Sequence, residues 1–166
     1  IGSPHLLQIS GIGDGEKIKK HGIEVVHELK GVGKNLQDHL MFRPVYKLKN
    51  IKSLNRDVES LYSKFLMGLQ YIFKQSGPMT MGASQVCAFT KSDPSRATPN
   101  LQFHVQPLST DILGVTPMHD FEGITPTVAN IRPSSRGEIN ISSNDSRDNP
   151  KIKMNYLSTE DDRIVA

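Results

Sequence analysis

The spacing of apolar residues changes partway along the chain, from a helical period to a strand period. Between residues 55 and 75, apolar side chains recur at steps of three, one and four, the spacing of one face of a helix. They are Val58, Leu61, Tyr62, Phe65, Leu66, Leu69, Ile72 and Phe73. After Gly77-Pro78, the segment 101–106 (LQFHVQ) alternates apolar and polar positions, as a strand with two different faces does. We therefore predict an α+β fold, in which residues 84–142 contain at least three antiparallel strands and the 55–75 helix packs on one face of their sheet.

Shorter elements are predicted before residue 40. A first helix starts at Ser3-Pro4, with Ser3 as its cap and Pro4 at its first helical position. Asp14 is placed to cap a second, short helix. Residues 23–29 are a strand candidate, and residues 31–39 (GVGKNLQDH) form a loop punctuated by glycines.

Composition and charge exclude several classes of protein. The net charge is +3 and the basic residues are scattered, so the dense basic patch of a nucleic-acid-binding protein is missing. No stretch approaches the roughly 18 apolar residues that a membrane-spanning helix needs. The single cysteine, Cys87, rules out an internal disulfide framework, and its apolar neighbours predict a buried, inert thiol. Asp38-His39 has no third ligand at a suitable spacing, so no metal site is predicted.

Three separated stretches carry a resemblance to one family. The first is residues 2–13 (GSPHLLQISGIG), the second is residues 31–39, and the third is residues 132–139 (RPSSRGEI), followed by residues 150–157 (PKIKMNYL). In this order and at this spacing they resemble the signature segments of the glucose–methanol–choline oxidoreductases. The matches extend from residue 2 to residue 157, nearly the whole chain.

The resemblance implies a flavoenzyme that oxidises the CH–OH group of an alcohol by hydride transfer to FAD. It implies that residues 1–40 are the end of an FAD-binding domain with a loop over the flavin, and that residues 41–166 are an incomplete substrate-binding domain whose antiparallel sheet is backed by helices. The family's Gly-x-Gly-x-x-Gly segment and its catalytic histidine match no part of this chain. No catalytic residue is therefore expected here, and the chain is expected to be an internal piece that is inactive alone.

The resemblance also implies which residues lie at the site. Those expected beside FAD are Gly2, Ser3, Pro4, Asn35, Asp38 and His39. The alternative for both segments is a purely structural role, since Ser3-Pro4 can simply cap a helix and Asn and Asp side chains commonly fix turns.

His104 and Met41 are the candidates for substrate binding. His104 lies on the polar side of the predicted strand, although a satisfied structural histidine is the alternative. In choline-specific relatives a glutamate stands just after the Asp-His pair, where Leu40, Met41 and Phe42 follow His39 in this chain. Because the run Leu40-Met41-Phe42 has no carboxylate, the sequence favours an uncharged alcohol.

Two other functions stay open from the sequence, a hydroxynitrile lyase on the same scaffold and a non-catalytic binding module. The electron acceptor also stays open.

Overall fold

The computed structural model describes residues 1–82 and 84–166, which form two compact units. The first unit contains residues 1–40 and 132–166, and the second contains residues 41–131. Residues 132–166, grouped with 41–131 in the sequence-based division, pack with residues 1–40 instead. The assignment of flavin-binding and substrate-binding domains stays a prediction.

The helices are α1 (Gly2–Ile9), α2 (Gly15–Lys19), α3 (Leu54–Glu59), α4 (Leu61–Lys74) and α5 (Glu160–Val165), with a 3-10 turn at Pro78–Thr80. The strands are β1 (Ile12–Gly13), β2 (His27–Glu28), β3 (Met41–Phe42), β4 (Tyr46–Lys47), β5 (Val86–Thr90), β6 (Leu101–Gln106), β7 (Gly123–Asn130), β8 (Glu138–Asn140) and β9 (Lys151–Lys153). The mixed content agrees with the predicted α+β class.

In the first unit, β1 pairs with β2 in parallel and β8 pairs with β9 in antiparallel fashion. Ile18, Ile139 and Ile141 form its buried apolar core. The predicted cap of α2 is confirmed, because the Asp14 carboxylate accepts a hydrogen bond from the Lys17 backbone N–H at 3.3 Å. The predicted cap of α1 is wrong. Its N-cap position is Ile1, and no side chain caps the helix, because Ser3 already lies inside the first turn.

In the second unit, five strands form one antiparallel sheet in the order β3-β7-β6-β5, with β4 paired to the start of β7. The prediction of at least three antiparallel strands within residues 84–142 is confirmed by β5, β6 and β7.

The predicted single helix over residues 55–75 is two helices, and its packing was predicted wrongly. Ser60 has an extended backbone and caps α4 by accepting a hydrogen bond from the Ser63 N–H at 3.3 Å, which separates α4 from α3. No residue of α4 is buried, and Leu61 and Phe73 are 82% and 80% exposed. The apolar stripe is therefore present, but it does not pack on the sheet.

The two faces of the sheet differ in a way that the strand register defines. Side chains of directly paired residues point to the same face. One face, named here the polar face, carries Cys87, Phe89, Gln102, His104, Gln106, Thr125, Thr127, Ala129 and Met41. On β7 the residues of the polar face are buried, whereas those of the opposite face are only half-buried.

Candidate functional site

His104 lies in the middle of a row that crosses three strands of the polar face. Cys87 on β5 and Thr127 on β7 are its direct partners in the register. The Cys87 Sγ and His104 Nδ1 atoms are 3.2 Å apart, while His104 Nε2 has no hydrogen-bond partner among the described residues. Cys87 is exposed, so the predicted buried thiol is wrong. The reason is that β5 is the edge strand and all five of its residues are exposed.

Met41 lies on the same polar face as His104, one row further along the sheet. It pairs with Ala129 of β7, which in turn pairs with Gln102 of β6, two residues before His104. The Met41 side chain is 55% exposed, whereas Ala129 is buried. The structure thus brings together on one face the two residues that the sequence suggests for substrate binding. Whether they bind substrate stays a prediction.

The polar face carries neutral groups and, at one end, a positive charge. Its paired positions carry amide, imidazole, hydroxyl and thiol groups and the ring of Phe89, and no carboxylate. At one end, Arg43 Nη2 donates a hydrogen bond to Gln106 Oε1 at 3.3 Å. This face can therefore hydrogen-bond a neutral polar group, but it offers no counter-ion to a cation.

A buried amide that the sequence did not single out supports this sheet. Asn55 is fully buried, and its Nδ2 atom lies within hydrogen-bonding distance of Ser109 Oγ at 2.9 Å and of the His119 and Phe121 carbonyl oxygens at 3.0 and 2.8 Å. Its Oδ1 atom accepts from the Ser109 backbone N–H at 2.8 Å. Asn55 thereby fixes the connection between β6 and β7, the two central strands that carry His104 and Thr127.

In the first unit, the three motif stretches that carry the family resemblance meet through hydrogen bonds. Gln8 of the first stretch donates to the Ile139 carbonyl at 3.0 Å and accepts from the Ile141 N–H at 2.8 Å. Asn35 of the second stretch accepts from Arg136 Nε of the third at 2.8 Å. These hydrogen bonds join residues that are more than 100 positions apart in the sequence, so the motif stretches form one local structure.

Of the three residues of the second stretch that are expected beside FAD, two are held by hydrogen bonds and one is exposed. Asn35 has a left-handed backbone (φ 61°) and is held by Arg136. Asp38 accepts a hydrogen bond from the Tyr156 hydroxyl, and this bond raises the pKa of Tyr156. His39 is exposed. Asn35 and Asp38 therefore have structural partners, and those partners lie far away in the chain rather than in the local turn.

The third stretch is fixed by a buried carboxylate, Asp162, near the start of α5. It accepts hydrogen bonds from the backbone N–H groups of Ser134 and Ser135, each at 2.8 Å. Burial by itself raises the pKa of Asp162, but hydrogen bonds from Ser135 and Ser134 outweigh it and bring the pKa to about 2. Sequence reasoning missed Asp162 because its partners are 27 and 28 positions away.

A second lowered pKa in the first unit belongs to Glu138. Hydrogen bonds from Lys34 and Lys17 lower it from 4.5 to about 2. The Lys17 Nζ atom lies 3.1 Å from Glu138 Oε2 and donates to Asn140 Oδ1 at 2.9 Å, which ties α2 to β8. The lowered pKa of Glu138 therefore reflects contacts that hold the fold together, and it does not mark a catalytic group.

The helix expected beside FAD is α1, which begins at Gly2. Among the described residues no side chain caps α1, and its first turn has no acidic residue. The described residues contain no group of three or more histidine, cysteine or acidic side chains that could hold a metal. Within residues 1–82 and 84–166, no helix is long and apolar enough to cross a membrane.

Comparison with known proteins relates this fold and these motifs to flavoenzymes. The chain is 39% identical over 163 residues to an oxygen-dependent choline dehydrogenase of Photobacterium profundum, which covers 98% of the chain and 28% of that protein. It is 38% identical over 163 residues to an alcohol dehydrogenase [acceptor] of Pseudomonas putida, with coverage of 98% and 29%. The chain therefore spans less than a third of the length of these relatives. No family model matches it.

Solved structures with the same fold include formate oxidase, with a TM-score of 0.85 and 23% identity over 98% of this chain and 33% of that one. A fungal aryl-alcohol oxidase has a TM-score of 0.69 and 17% identity over 98% of this chain and 34% of that one. The fold is thus that of a segment of these oxidases. The names of these relatives fit the resemblance to the glucose–methanol–choline oxidoreductases that the motif stretches carry.

Proposed function

We propose that these 166 residues are part of an FAD-dependent oxidoreductase that oxidises the CH–OH group of an alcohol. The observation that carries the proposal is the polar face of the sheet, on which a half-buried imidazole with a free Nε2 lies close to Met41 in the register. The names of the dehydrogenase relatives support the same class of reaction.

His104 is the residue that we assign to the alcohol. Its Nδ1 atom faces the Cys87 thiol, so Nε2 is the ring nitrogen left to hydrogen-bond a hydroxyl group. Strands pair with β6 on both sides, and Asn55 holds the loop that follows it, which fixes the direction of that bond. His104 would thus orient the substrate hydroxyl.

The residues of the first unit fit an anionic cofactor. Backbone N–H groups at a helix start attract negative charge, and the first turn of α1 has no acidic residue that would repel an anionic group. Gly2, Ser3 and Pro4 would lie there beside FAD, with Asn35, Asp38 and His39 as the second contact segment. When bound, FAD supplies the redox chemistry as the acceptor of the hydride that leaves the alcohol carbon.

A neutral alcohol is the substrate class that the polar face favours. A quaternary ammonium group cannot donate hydrogen bonds, so its recognition needs a nearby carboxylate or an aromatic cage. The paired positions of the polar face offer no carboxylate and a single aromatic ring, Phe89, which by itself does not form a cage. Met41 is exposed on β3. Met41 would pack against the carbon skeleton of the alcohol.

The test uses the longer protein that is expected to contain this segment. We expect it to be yellow with flavin and to oxidise neutral primary alcohols with an artificial electron acceptor. His104→Gln should lower kcat/KM by about tenfold, the effect of one lost hydrogen bond to the reacting group, with unchanged flavin content. His27→Gln is the matched control, because His27 is exposed on β2 in the first unit. Equal kcat/KM for His104→Gln and wild type would refute the role of His104, and absent oxidation of all alcohols would refute the proposed activity.

A further inference from the structure

The row that crosses the polar face has a chemistry that alcohol oxidation does not use. Cys87 is the only cysteine of the chain, it is exposed, and its Sγ atom lies 3.2 Å from the imidazole Nδ1 of His104. The thiolate, not the thiol, is the nucleophile in sulfur chemistry. An imidazole at this distance can take the thiol proton as the sulfur attacks, as in other paired Cys–His nucleophiles.

An independent observation at the other end of the row points to a ligand. The side chain of Thr127 is only 3% exposed, and its hydroxyl has no hydrogen-bond partner in the described parts of the chain. A buried hydroxyl without a partner costs about 1–3 kcal/mol, so buried hydroxyls normally have one. Thr127 pairs directly with His104, which places this hydroxyl beside the imidazole on the polar face. A molecule on the row would satisfy it by inserting a polar group between the side chains that cover this hydroxyl.

We propose that Cys87, His104 and Thr127 form a thiol modification site at which Cys87 makes a mixed disulfide with a small, polar disulfide of the glutathione disulfide type. The Cys87 sulfur attacks one sulfur of the disulfide while its proton passes to His104. A new S–S bond forms, the old S–S bond breaks, and the departing thiolate takes the proton from His104. The products are the mixed disulfide and one equivalent of free thiol, so no further oxidant is required.

The modification has a direct consequence for the polar face. The added group would be attached next to His104, on the face that also carries Met41. It would therefore occupy the space in front of the His104 imidazole and be removed again by a reducing thiol. The site itself depends only on the geometry of the row, and not on the proposed activity.

The test measures the rate at which Cys87 reacts with glutathione disulfide at pH 7, followed by the mass of the 166-residue chain. The reference is the same thiol in chain unfolded in urea. An ordinary thiol is only a few per cent thiolate at this pH, so proton transfer to His104 should make the folded chain react about tenfold faster. A folded chain that reacts no faster than the unfolded one would overturn the proposal.

Variants separate the two partners of Cys87. His104→Gln and His104→Asn, checked for folding by circular dichroism, should both lose the acceleration, while His27→Gln keeps it. Thr127→Val has nearly the same shape without the hydroxyl. It should react about fivefold more slowly with glutathione disulfide, the worth of one hydrogen bond, yet at the wild-type rate with iodoacetamide, which is too small to reach Thr127. Retained acceleration in both His104 variants, or an unchanged glutathione disulfide rate in Thr127→Val, would contradict the proposed site.

Discussion

Asn55 allows the most quantitative test of how the sheet is supported. Replacing it by alanine removes a fully buried amide that lies against Ser109, His119 and Phe121. The two hydrogens of Nδ2 can make two good hydrogen bonds among their neighbouring oxygens, and Oδ1 makes a third with the Ser109 N–H. Asn55→Ala therefore deletes about three hydrogen bonds at once.

The expected loss follows from these contacts. At about 1 kcal/mol each, three hydrogen bonds contribute about 3 kcal/mol to the free energy of unfolding. Ser109 is also fully buried, so its N–H is left without a partner, which adds about 1–2 kcal/mol. We expect Asn55→Ala to lower the free energy of unfolding by about 4–5 kcal/mol, a large share of the total for a domain of this size.

Urea unfolding followed by circular dichroism measures this loss. Asn144→Ala is the matched control, because Asn144 is exposed on a loop of the first unit and should change stability by less than about 0.5 kcal/mol. If Asn55→Ala lowers the free energy of unfolding by less than about 1 kcal/mol, the buried network does not hold the β6–β7 connection as described.

Three further predictions concern pH, substrate and cofactor. The pKa of Asp162 is about 2, below its usual 3.8, so the ionised carboxylate stabilises the fold above about pH 4, and this stabilisation, about 2 kcal/mol, is lost as the pH falls towards 2. Asp162→Asn should flatten that part of the stability–pH curve, and parallel curves for variant and wild type would contradict this. In the longer protein, a neutral primary alcohol should be turned over better than choline, with Met41→Glu shifting the ratio towards choline; a wild-type preference for choline of tenfold or more would refute our account of residues 40–42. The isolated 166-residue chain should not retain FAD through gel filtration or oxidise alcohols, and a yellow, flavin-loaded chain would show otherwise.

Local signals in the sequence predicted the elements whose cause is local. The alternation of residues 101–106 predicted β6, because a strand exposes successive side chains on opposite faces. Asp14 predicted the start of α2, since a cap acts within one turn. The motif stretches also predicted the family, as their order and spacing are specific.

The features that sequence reasoning missed depend on distant partners. Apolar neighbours suggested a buried Cys87, but its exposure depends on β5 being an edge strand, which only the strand order decides. The roles of Asn55 and Asp162 depend on backbone groups 54 and 27 positions away, so no nearby residue in the sequence indicates them. The break at Ser60 did have a local signal, since serine is a preferred helix cap, but the continuous apolar stripe obscured it.

The central claim, that this segment belongs to an enzyme that oxidises an alcohol by hydride transfer to FAD, is tested most directly by one anaerobic turnover. The longer protein is mixed with a neutral primary alcohol in the absence of oxygen, and the visible absorbance of the flavin is followed. We predict that the absorbance is lost, and that it is lost several times more slowly when the carbinol carbon carries deuterium. Flavin that stays oxidised while the alcohol or a hydroxynitrile is consumed, or that is never reduced by any alcohol, would contradict the account.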